Sequence, residues 1–316
     1  MTLSFNGGDT PMSTQSAAPP PPTASKSGDR GSINTLASKA PSVVLLALWS
    51  MVPLVMTVWF STRQYNLLIP DVTGSAGIES YRYLLTDPGL PRAIGNTLLL
   101  VGAVLVITVG LGTMLAVLFD HEFFGRGVAR VLVIAPFFVM PTVAALVWKN
   151  MMMHPVNGLI GHALRSVGLR SIDWFSDWPL TAVVIIVAWQ WPPYATLILL
   201  TALQSLDPER KEAARMDGAG PLAMFRFIIV PHLGRAIGVV VMIETIFLLS
   251  VFAEIFVTTS GGPGVATTNL AFLIYKYAML EHDIAGASAG GVFAIVLANV
   301  VAFFLIRTVA RNIQSS

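Results

Sequence analysis

Two carboxylates stand in a stretch too apolar to solvate them. Glu244 and Glu254 both fall inside the segment 236–258. An acid at membrane depth is costly, and it ordinarily lines a polar cavity or pairs with another group. Glu244, Phe247, Leu248 and Val251 follow at i, i+3, i+4 and i+7, one face of a helix, and Glu254 lies seven residues beyond Phe247. In the segment 179–203, Val187, Gln190, Trp191 and Tyr194 form a second such face. Together the two faces offer chemistry suited to a polyhydroxylated ligand. A carboxylate accepts hydrogen bonds from paired hydroxyls, while an aromatic ring covers an apolar C–H face. The same residues would also serve as helix-to-helix packing, with Glu244 satisfied by a neighbouring hydroxyl. The sequence leaves both readings open.

A second constellation lies in the polar stretch that precedes Glu244. Asp207 can cap a helix whose first residue is Pro208, with Glu209 in the first turn. The chain reads helical to about Met216. Asp217-Gly218 is then a turn signal, with Gly218 free to take positive φ. Pro221 can open a second short helix carrying Phe225, Ile228 and Ile229. The expectation is a helix-turn-helix outside the bilayer. Ala213 and Ala214 leave its first helix shallow on one side, and Glu212 offers a charge to a basic group on a partner.

The elements that position these residues are membrane spans. Of 316 residues, 54% are hydrophobic and 11% charged, whereas soluble domains carry about a quarter charged residues. Six segments can cross a bilayer, near 41–60, 94–119, 128–148, 179–203, 236–258 and 285–307. Pro136, Pro141, Pro192 and Pro193 predict kinks in the third and fourth. Residues 1–40, rich in Ser, Ala, Gly and Pro, read as a disordered tail, and 61–93 as an outer segment. This segment and 149–178 are expected to carry short interfacial helices, with Trp174 and Trp178 suited to the membrane interface. The bias of Lys and Arg, with Arg126, Arg130, Arg210, Lys211, Arg215, Arg226, Arg235, Arg307 and Arg311 on one side, places both termini and the 204–235 loop in the cytoplasm.

Several chemistries find no support. There is no cysteine, so disulfides, thiolate metal sites and cysteine nucleophiles are excluded. The net charge of +2 carries no long basic run, which argues against nucleic acid. His121, His154, His162, His232 and His282 lack ligand spacing, so no metal site is expected. No G-x-x-x-x-G-K-[ST] occurs, and Gly261-Gly262-Pro263-Gly264 reads as turn chemistry without the phosphate-binding Lys. Met151, Met152 and Met153 read as the end of the third span.

One pattern is specific enough to point to a family. Glu212-Ala213-Ala214, three residues, Gly218, nine residues, Ile228, one residue, Val230 and Pro231 resembles the EAA loop of binding-protein-dependent ABC importer permeases. Val230 stands where that family usually has Leu. Asn96-Thr97-Leu98-Leu99, Pro155 to Ile160 and Leu203 to Pro208 extend the resemblance toward the carbohydrate subfamily. Thr259-Ser260-Gly261-Gly262-Pro263, with Thr268, Leu270 and Tyr275, is similar to the maltose-type first permease of a heterodimeric pair. The large extra periplasmic domain of that permease is absent.

The resemblance implies an all-α polytopic protein with the six-helix type I importer permease fold, its core running over 94–311. It implies a multi-pass subunit of a prokaryotic cytoplasmic membrane, not itself an enzyme and with no cofactor of its own. Its implied partners are a second homologous permease, two ABC ATPase subunits that bind ATP and Mg, and an extracytoplasmic solute-binding protein. It implies ATPase coupling through Glu212, Ala213, Ala214, Asp217 and Gly218. It also places Glu244, Phe247, Trp191, Tyr194, Gln190, Leu248, Val251 and Glu254 at a sugar or polyol pocket. Glu244 and Trp191 replace smaller family residues, which leaves the ligand open. Another small polar solute, or a self-sufficient secondary transporter, are the alternatives, although no inverted repeat is apparent.

Overall fold

The computed structural model describes residues 30–314 apart from 70, 72 and 73. The chain forms two compact units, one ending at Pro53 and the other running from Leu54. Helix α1 (Arg30–Ser61) crosses that boundary. It begins eleven residues before the expected first span, so the tail is helical from Arg30 on; residues 1–29 lie outside the described part. Pro41–Ser61 has a mean hydropathy of 2.2, and Val43, Leu45 and Trp49 stand exposed, as suits a helix facing lipid.

The second unit is helical throughout its core. A two-residue hairpin, β1 (Arg63–Gln64) with β2 (Gly74–Ser75), pairs Arg63 with Ser75 and precedes helix α2 (Glu79–Thr86). Helix α3 (Gly89–Asp120) is a single long span. The third span is bent by 105° between α4 (Arg126–Ile134), extended by a 3₁₀ turn through Phe138, and α5 (Pro141–Val147). Met140 precedes Pro141 and is extended, as a residue before proline must be. A π-type turn, Trp148–Met152, ends this span where the methionine run was expected to end it.

Short helices α6 (Leu159–Ser166) and α7 (Trp174–Asp177) follow, then the fourth span. It bends by 42° between α8 (Pro179–Gln190) and α9 (Pro192–Gln204), where Pro192 and Pro193 remove two successive N–H donors. Both spans expected to kink are thus bent, with Pro141 and Pro192 opening the helix after each bend.

The fifth span departs from expectation. The helix opened by Pro221, α11 (Pro221–Met224), does not stay separate outside the bilayer. It continues through a wide turn at Phe225–Ile229 into α12 (Val230–Leu248), so that Pro221–Leu248 is one candidate span. The chain then breaks over 249–252 and resumes as α13 (Ala253–Thr258). Asn269 Nδ2 donates to the Val251 carbonyl and so satisfies an acceptor that the break frees. Lys149 Nζ donates to Val257 O, 3.1 Å away, at the other end of α13. Helices α14 (Leu270–Tyr275) and α15 (Ile284–Gln314) complete the order.

Polar side chains at one end of the bundle fix its connecting segments. Asn96 Nδ2 donates to Val265 O and Thr268 O at 3.1 and 2.9 Å, and Thr97 Oγ1 accepts from Leu270 N. These bonds anchor the turn in which Ser260, Gly261 and Gly264 take positive φ. The 61–93 segment is tied to 276–285 by an Asn66–Asp283 bridge and by Tyr277 Oη donating to Asp87. Burial, reinforced by that bond, pushes the Tyr277 phenol above its ordinary range. Along the bundle, α3 and α9 share the most extensive packing. Gly112 of α3 permits it: a Cβ there would fall 2.5 Å from Ala195 Cβ.

Candidate functional site

The bends bring aromatic side chains from three spans together. Trp191 stands at the bend between α8 and α9, and Tyr194 one turn later; their ring centroids are 6.1 Å apart. Phe137, in the 3₁₀ turn before α5, lies 5.9 Å from Trp191 and stacks on Tyr194 at 6.1 Å. Phe247 of α12 lies 5.5 Å from Trp191. Phe247 is 55% exposed and Phe137 42%, so the cluster is a wall with one open side. Phe137 was not legible from periodicity, because Pro136 and Pro141 interrupt the helix that carries it; a ring between two kinking prolines was the available signal.

Glu244, one turn before Phe247 on α12, is fully buried. Thr108 Oγ1 of α3 donates to Glu244 Oε2 at 2.6 Å, while Glu244 Oε1 is buried without a partner. The neighbouring hydroxyl that packing would require is therefore present, and a spare acceptor remains beside it. Thr108, a hydroxyl in a long apolar helix, was the residue missed.

The other expected pocket residues also make structural contacts. Gln190 Nε2 donates to Val139 O at 2.9 Å, satisfying a carbonyl freed at the third-span bend. Leu248 and Val251 are buried in the core with Val187, Leu100 and Phe272. The fifth-span break takes Val251 and Glu254 off the helical face that carries Glu244, so the i+7 spacing no longer applies. Glu254 is 5% exposed in the first turn of α13, where a helix N-terminus favours an acid. Trp191, Tyr194 and Phe247 thus come together with Phe137, Trp191 also packs against the core cluster that holds Leu248 and Val251, and Gln190 and Glu254 are engaged elsewhere.

The loop residues follow the expected design closely. Helix α10 (Pro208–Met216) is capped by Asp207, whose side chain accepts from Glu209 N. At its far end Gly218 has φ +82°, Gly218 N donates to Arg215 O and Ala219 N to Ala214 O. That is the double bond pattern of a glycine-terminated helix. Asp217 caps the last turn. Glu212 and Ala213 are exposed, Ala214 partly so, and α10 buries no residue. Met216 at 88% and Leu222 at 78% exposure add an apolar patch beside them.

Residues 108–315 match the model of the binding-protein-dependent transport system inner membrane component. A probable ABC transporter permease protein of Sinorhizobium fredii is 33% identical over 79% of this chain and 81% of its own length. The trehalose/maltose transport system permease protein MalF of Thermococcus litoralis is 28% identical over 86% of this chain and 92% of its own. Among solved structures, a chain of a bacterial ABC transporter involved in import of the acidic polysaccharide alginate superposes with a TM-score of 0.75, at 21% identity over 89% of this chain and 96% of that one. The chain belongs to the family of inner membrane components of binding-protein-dependent transport systems.

Proposed function

We propose that this permease subunit passes a sugar or sugar alcohol across the membrane, driven by separate ATPase subunits that dock on α10. The observation that carries the substrate class is the half-open wall of Trp191, Tyr194, Phe137 and Phe247, with a buried acid whose one oxygen is free a turn before Phe247 on α12. Stacked rings cover sugar C–H faces and the acid can accept from hydroxyls. Similar permeases named for trehalose/maltose, sulfoquinovosyl glycerol and sn-glycerol-3-phosphate support the same class. The open side of the wall suits completion by a second permease. An alginate importer solved with its saccharide-bound periplasmic protein, whose permease shares this fold, supports delivery by an extracytoplasmic binding protein. A thermal-shift screen of the cognate binding protein against sugars and polyols tests the class. Stabilisation by amino acids or peptides alone would overturn it.

Coupling is assigned to the exposed face of α10, with Glu212 pairing a basic group of the ATPase. Glu212→Ala should leave membrane insertion intact and lower substrate-stimulated ATP hydrolysis by about tenfold or more, the scale of a truncated interfacial charge pair. Wild-type stimulation in that variant would remove the assignment.

Both termini and the loop are placed in the cytoplasm, with six spans between the ends. Reporter fusions after Ser316 and near Thr268 should then register opposite sides of the membrane. Registration on one side would overturn the span count.

A further inference from the structure

We propose that the Lys211–Asp120 ion pair is the tie through which α10 moves the spanning helix α3; this rests on α10 being the ATPase-docking helix. Lys211 Nζ lies 2.8 Å from Asp120 Oδ2, across 91 residues of sequence. Both side chains are mostly withdrawn from solvent, at 23% and 21% exposure. Helix α10 otherwise stands off the bundle. It buries no residue, and a cleft of about 490 Å³, lined by Val117, Asp120, Arg215, Met224 and Phe225 among others, opens beneath it. Among the described residues, this pair is the side-chain bond that joins α10 to a span.

Asp120 is the last residue of α3, and the preceding carbonyl, Phe119 O, is held by Arg130 Nη2 at 2.9 Å. The foot of α3 is therefore gripped from α4 by Arg130 and from α10 by Lys211. Twelve residues earlier on α3, Thr108 holds Glu244, and the helix between them is continuous. That separation is about 18 Å along the axis. A pull on Asp120 thus acts on a rigid rod whose middle bonds the buried acid of α12 and whose flank packs on the helix of Tyr194. Lys211 and Asp120 are positioning residues in this scheme. A partly exposed pair adds little to stability, so its removal should spare assembly and tell on transmission.

The test uses the complete transporter in proteoliposomes, with its binding protein and ATPase, and reads substrate transported per ATP hydrolysed. Lys211→Asp and Asp120→Lys singly should each lower that ratio by about fivefold or more, the lower range of coupling between distant sites. The exchanged double variant should regain at least about half of it, since only a direct pair is rescued by reversal. Lys211→Met, which keeps the chain length and removes the charge, gives the same reading where a reversal hinders assembly. An unchanged ratio in the singles and in Lys211→Met, or singles that fall without recovery in the double, would overturn the tie. Glu212→Ala runs alongside. If it uncouples while the Lys211 and Asp120 variants do not, the tie alone fails; if it leaves stimulation unchanged, the docking assignment fails.

Discussion

Gly112→Leu should reduce the yield of assembled transporter by about tenfold or more, while Gly110→Leu, two residues away on the same helix, should assemble normally. At Gly112 a Cβ would lie 2.5 Å from Ala195 Cβ and 3.2 Å from both Ala195 C and Thr196 N. The obstacle includes the backbone of α9, which cannot rotate aside. Overpacking a fitted contact costs about 1–3 kcal/mol, and 1.4 kcal/mol is a factor of ten. Membrane helices depend on such close approach for their association, since apolar surface alone gains nothing by leaving lipid. At Gly110 nothing lies within 4 Å of the added carbon. Size-exclusion yield and thermal stability of the detergent-solubilised complex measure the difference. Equal yields for the two variants would mean that the α3–α9 contact does not hold the bundle.

The contrast between these two glycines shows what the sequence could and could not tell. Local chemistry was legible. Asp207 caps, Pro208 starts and Gly218 ends α10 as their side chains and backbone freedom dictate. Both spans that carry the expected kinking prolines are bent, since the missing N–H acts on its own helix. Contacts between distant elements were not legible. Leu249, Ser250, Val251 and Phe252 contain neither Gly nor Pro, yet the fifth span breaks there, its carbonyl met by Asn269 from beyond α13. Gln190 looked available for a ligand because nothing local uses its amide. Its partner, Val139 O, lies 51 residues away. Helical periodicity placed Glu244 and Phe247 on one face, but exposure separates them: one is fully buried and the other is 55% exposed.

That burial sharpens what replacing Glu244 should do. Glu244→Leu should assemble at least as well as the wild type and lose about tenfold or more of its uptake per assembled complex. Assembly should survive because the acid is poorly satisfied. Oε1 has no partner, and Thr108 Oγ1, once released, still has the Leu105 carbonyl at 3.3 Å. Removing a buried polar group is harmful chiefly when it strands a donor or acceptor, and here it removes a stranded one. Even a buried ion pair can often be replaced by apolar side chains of similar volume with neutral or stabilising effect, and among the described residues Glu244 has no ion-pair partner whose charge would be stranded. Uptake should fall because, on the proposed reading, the free oxygen is the acceptor that meets a sugar hydroxyl when the aromatic wall opens. A lost hydrogen bond to a charged group is worth about 1.5–3 kcal/mol, which sets the tenfold scale. Glu244→Gln keeps an acceptor for Thr108 but adds two amide donors where one acceptor was spare. It should therefore keep more uptake than Leu and assemble less well. A role in packing alone predicts the opposite order: poor assembly in the Leu variant, and unaltered uptake and sugar preference in every complex that forms. Counting transporter by quantitative immunoblot before measuring uptake in the same vesicles decides between the two.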